Sequence, residues 1–127
     1  MFKIEDGQVQ LQKDHPPKMT AAQALERSIL KWQFVLKNVD EISSDGGTDT
    51  CALCYNYYSL SKSCAGCPVK KATGEGCCVG TPFEQIDLEE KVENTESLVR
   101  GEIQFLESLR PSVGLITIVR KARPGGR

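Results

Sequence analysis

Histidine is nearly missing from this sequence: His15 stands alone among 127 residues. A lone imidazole carries no metal-ligand spacing, and His15 lies across the Pro16-Pro17 break from every cysteine, so it reads as a surface residue. Long apolar runs are missing too. No stretch approaches the roughly 18 residues of a transmembrane helix, and no membrane contact is expected. The opening MFKIEDGQVQ lacks a basic segment followed by an apolar one. No signal peptide is expected there, which points to a cytoplasmic protein. Phosphate-cradling glycine loops are lacking as well, since Thr73-Gly74-Glu75-Gly76 is too short and no Lys-Ser/Thr follows it. The paired carboxylates Glu89-Glu90 sit in an acidic helical pattern that implies no pocket. An enzyme is not expected.

Charge of one sign is also lacking. The formal net charge is −1, which gives no general attraction to nucleic acid. Its distribution is uneven: residues 83–110 carry eight acidic and three basic side chains, whereas residues 111–127 carry four basic and no acidic ones. A solvated helix face and a solubilising tail account for this pattern. With 39% hydrophobic residues, one small domain over residues 1–119 is expected, followed by a disordered basic tail at 120–127. A core of that size gains from a metal.

What the chain does have is cysteine. All six fall between residues 51 and 78: CALC at 51–54, CAGC at 64–67, and the pair Cys77-Cys78. Each CxxC is a short turn that aims two sulfurs at one centre, and two turns complete a tetrahedron. In a reducing compartment such a cluster reads as metal ligands before disulfides. The simplest ligand set is Cys51, Cys54, Cys64 and Cys67; a rival set is Cys51, Cys54, Cys67 and Cys78. Zinc in an all-thiolate site is closed and structural, with no open position for water. An iron–sulfur cluster is the alternative cofactor. Cys67-Pro68 suits it, but none of the compact ferredoxin spacings occurs.

Around this module, residues 51–82, the local elements are readable. Alternation at Phe2, Ile4, Val9 and Leu11 across Asp6-Gly7 predicts a β-hairpin over 2–5 and 8–12. Thr20 is a candidate N-cap for a helix carrying Ala21, Ala24, Leu25, Ile29, Trp32, Val35, Leu36 and Val39 on one stripe. Trp32 is expected to anchor that helix on the core or the Cys module. Residues 43–49 read as a loop. A second helix is predicted from about Phe83 to Leu109, with Leu88, Val92, Thr95, Val99, Glu102, Leu106 and Leu109 at alternating four- and three-residue steps. Thr95 and Glu102 weaken that seam as a free coiled coil but leave a homodimer open. Residues 115–119 suggest a third strand. The fold class is therefore α+β: two amphipathic helices packed as a hairpin around a Cys-rich zinc knuckle, with a small antiparallel sheet built from the N-terminal hairpin and a C-terminal strand.

The run CALC…CAGCPVKKATGEGCCVGTPF resembles small Cys-rich proteins encoded by bacteriophages and prophages, with a C-x-L-C, a C-x-G-C-P-[VI] and a C-x-G-T-P-[YF]. The matching positions are Cys51, Leu53 and Cys54; Cys64, Gly66, Cys67, Pro68 and Val69; and Cys78, Gly80, Thr81, Pro82 and Phe83, with Trp32 matching an upstream helical tryptophan. The resemblance covers residues 20–83. It implies that Cys78 belongs to the shared pattern and Cys77 does not, which favours the rival ligand set, and it implies a phage or bacterial cytoplasmic setting. The leading functional expectation is a zinc-stabilised module that binds a protein partner, as a regulator or inhibitor of a host machine. A nucleic-acid-binding zinc protein is the second, using Lys62, Lys70, Lys71, Tyr55, Tyr57, Tyr58 and the Arg120–Arg127 tail. An iron–sulfur redox or sensor protein is the third.

Overall fold

A computed structural model of the protein describes residues 2–12, 15–46, 50–59, 66–74, 81–90 and 93–113. The predicted strand at 115–119 and the basic tail lie outside these residues. The chain is α+β, with a small two-stranded antiparallel sheet and several helices. Strands β1 (Phe2–Glu5) and β2 (Gln8–Leu11) pair with Phe2 opposite Leu11 and Ile4 opposite Val9. Asp6 and Gly7 both have positive φ, the geometry that makes Asp-Gly a tight hairpin turn. One face of the hairpin packs inward: Val9 is fully buried, and Phe2 meets Phe34 with ring centroids 5.8 Å apart.

Helix α1 (Ala21–Lys37) starts at the predicted cap. The Thr20 hydroxyl accepts the Gln23 N–H and the Gln23 side chain accepts the Thr20 N–H, a closed capping box. The predicted stripe runs on to Val39, but the helix ends at Lys37, and Val39 lies in a 3₁₀ turn (Val39–Glu41). Beyond it, residues 42–46 run beside β2, where the Val9 N–H donates to the Ser44 carbonyl at 3.0 Å. Gly46 closes this segment at φ +85°. A Cβ there would lie 2.5 Å from the Val9 carbonyl oxygen, so glycine is required.

The predicted long helix over 83–109 is a correction. A 3₁₀ turn (Pro82–Gln85) comes first, then turns through 88–90; helix α3 spans only Thr95–Glu107. Asn94 sits at φ 68°, in the left-handed region, which interrupts any helix arriving from upstream. Asp87 helps hold the preceding turn by accepting the Glu90 N–H at 3.0 Å. Even so, every described residue of the predicted seam is buried: Leu88, Thr95, Val99, Glu102, Leu106 and Leu109. Helix α3 packs on α1, and that contact forms the centre of the core. These described residues of the seam are thus buried within the single chain. No described helix is long and apolar enough to cross a membrane.

Candidate metal centre

The Cys module meets the core through its first turn. Ala52 and Leu53 are buried, and residues Cys54–Ser59 form a wide π-helical turn. Cys51 and Cys54 flank this pair, and their thiols are hydrogen-bonded to each other. Two soft sulfurs on one turn fit half of a tetrahedral thiolate centre. Cys67 is buried at the start of the short helix α2 (Pro68–Thr73), where Pro68 occupies a first-turn position that needs no N–H donor. None of the three is in a disulfide bond. Among the described residues, no three His, Cys, Asp or Glu side chains gather closely enough to hold a metal ion. Cys64, Cys77 and Cys78 lie outside the described residues. Each predicted ligand set includes one of them: Cys64 in the simplest, Cys78 in the rival.

The surroundings of Cys51 are polar and buried. Cys51 keeps some surface in contact with solvent, but its thiol is enclosed. Its pKa is driven well above the usual thiol value, first by the hydrogen bond with Cys54, then by burial and by the Cys54 charge; the Lys31 ammonium opposes this. The Ser28 hydroxyl on α1 lies 3.6 Å from the Cys51 sulfur and accepts the Leu53 N–H at 3.1 Å. Lys31 is 1% exposed, with its ammonium 3.5 Å from Asp45 Oδ1 and 4.9 Å from the centre of the Trp32 ring. From α3 comes Glu102, 2% exposed, whose carboxylate accepts the Phe83 N–H at 3.2 Å. Burial above all, and the nearby Cys51, raise its pKa from the usual 4.5 to about 7; the Phe83 hydrogen bond and Lys31 pull the other way.

Ser28 and Lys31 carry no apolar signal that would mark them as part of the α1 stripe. They nonetheless fall on its buried face, between Leu25 and Trp32, so a signal was there in the helical spacing. Trp32 is an anchor as expected: it is 2% exposed and meets Phe83 edge-on at 5.7 Å. His15 is a correction, being buried rather than on the surface. Its ring packs 5.1 Å from that of Tyr55, in the Cys turn. Asn56 ties the same two segments together, accepting the Met19 N–H at 3.2 Å and donating to the Met19 carbonyl at 3.0 Å. Of the basic candidates, Lys71 is exposed and Lys70 half-buried, while Lys62 lies outside the described residues. Tyr55 and Tyr57 are half-buried against the core.

No protein-family model, no curated protein and no solved structure matches this chain.

Proposed function

We propose that this is a metal-stabilised protein-interaction module, with zinc held by Cys51, Cys54 and Cys67 and completed by Cys64 or Cys78. The observation that carries this reading is the Cys51–Cys54 thiol pair, set on one turn against α1. A zinc ion bound there would tie the Cys module to the α1–α3 pair, which supports the two-helix arrangement around a knuckle. Zinc bound by four thiolates serves structure, and the role left to the module is recognition. The exposed carboxylates of Glu84, Asp87, Glu89, Glu90, Glu93 and Glu96 favour a protein partner over nucleic acid, because they repel phosphate. With the motif resemblance, this supports a small phage or bacterial protein that acts on a host component in the cytoplasm.

Metal content and visible absorbance of protein purified without oxygen test the reading. The expected result is colourless protein with about one zinc per chain, lost in the double variant Cys51→Ser, Cys54→Ser. Brown protein containing iron and sulfide overturns it in favour of a redox or sensing role. Salt-sensitive binding of DNA or RNA, lost in Lys70→Ala with Lys71→Ala, would move the function to nucleic acid.

A further inference from the structure

Cys51 and Cys54 share one helical turn, and that turn is anchored. The Tyr55 N–H donates to the Cys51 carbonyl at 2.8 Å, which puts residues 51 and 54 on the same side of the chain. Ala52 and Leu53 between them are buried, and the Leu53 N–H donates to Ser28 Oγ on α1 at 3.1 Å. Side chains three residues apart on such a turn have Cβ atoms roughly 5–6 Å apart. A disulfide needs about 3.5–4.5 Å. Closing the gap takes a shift of about 1–2 Å, within reach of one turn but against its anchors on α1 and the core. A bond formed under such strain is easily reduced, which marks a regulatory disulfide and not a structural one. Access is selective as well. Cys51 and Cys54 both keep part of their surface in contact with solvent, whereas Cys67 is buried.

We propose that Cys51 and Cys54 are a reversible redox pair, closing to a disulfide by exchange with a small organic disulfide such as oxidised glutathione. One cysteine thiolate attacks a sulfur of the outer disulfide, giving a mixed disulfide and releasing one small thiol. The neighbouring cysteine sulfur then displaces the second small thiol. Two electrons pass from the cysteines to the outer disulfide, and the two cysteine protons end on the released thiols. In a reducing compartment a bond of this kind is transient and reports the redox state around it. The inference goes beyond the metal reading and does not rest on it, because sulfurs joined in a disulfide are not thiolate ligands.

The experiment incubates the full chain, with a chelator present, over a range of oxidised-to-reduced glutathione ratios, then alkylates it and digests it with trypsin. Cleavage after Lys37 and Lys62 yields a peptide, 38–62, that holds these two cysteines and no other. Under oxidising ratios this peptide should go from two alkyl groups to none and be lighter than the reduced peptide by two hydrogens. Excess reduced glutathione should restore both alkylation sites. Cys51→Ser and Cys54→Ser should each stop at the mixed disulfide with glutathione, which separates exchange within the pair from general oxidation. Circular dichroism checks that the variants keep their helices, and the wild-type peptide decides alone if they do not. Two alkyl groups at every ratio overturn the inference. So does glutathione left on the wild-type pair, or a cross-link from this peptide to the one holding Cys67. Zinc uptake by the wild-type chain without chelator decides the metal reading separately, whichever way the peptide behaves.

Discussion

Two junctions of α1 are built from opposite chemistry. Against the hairpin it presents apolar side chains: Phe34 meets Phe2, and Val9 is fully buried in the hydrophobic core. Against the Cys turn it presents Ser28 and Lys31, which meet the Cys51 thiol and Asp45. Apolar residues of similar volume would serve stability at the second junction as well or better, because buried charges are costly even when paired. The polar junction therefore carries a cost that packing does not require. It is also the junction where Cys51 and Cys54 sit.

The largest test of this contrast removes the ring packed against Lys31. Trp32→Ala deletes the edge contact to Phe83 and the aromatic face over Lys31, and should cost about 3–5 kcal/mol in a urea melt. A loss near that of an exposed residue would mean that the polar junction collapses without penalty.

Next comes pH. Because folding raises the Glu102 pKa from 4.5 to about 7, the native state holds this proton more tightly than the unfolded chain does. The contribution is therefore fully present below the unfolded pKa and is lost as pH rises through the folded one. Metal-free protein should lose about 2 kcal/mol from Glu102 alone between about pH 5 and about pH 8. Glu102→Gln keeps an oxygen for the Phe83 N–H and should flatten that slope; an identical slope in the variant would show that the carboxyl is not the group responsible.

The smallest effect belongs to the exposed N-terminal cap of α1. Thr20→Ala opens the capping box and should cost about 1 kcal/mol at any pH from about 5 to 8, with metal affinity unchanged. A pH-dependent or metal-dependent loss would mean that the cap is coupled to the polar junction.

Local signals in the sequence were reliable where the chemistry was local. Asp6-Gly7 and Thr20 with Gln23 act within a few residues of themselves, and the turn and the cap are where they were expected. Residues 83–94 misled because the seam's spacing continues through them, and Leu88 is buried outside any helix. Phe83 is held by Trp32 and by the Glu102 carboxylate, both remote in sequence, in a separate turn ahead of α3. His15 misled for the same reason, since its neighbour Tyr55 lies 40 residues away.

At the candidate site, the cysteine spacing named Cys51 and Cys54, and the structure places that pair together. Glu102 was visible only as a flaw in an apolar seam. Ser28 and Lys31 looked like ordinary polar residues within a helix.

By itself, then, the sequence determined the hairpin, the start of α1, the buried face of α3 and the chemical type of the candidate ligands. These depend on φ preferences, side-chain period and the softness of sulfur, all set by residue identity and spacing. Only the tertiary structure decided which polar side chains sit inside, where the second helix begins, and that Ser28 lies against Cys51. Burial and the fields among charges depend on which distant segments come into contact, and α1, α3 and the Cys turn become neighbours only when the chain is folded.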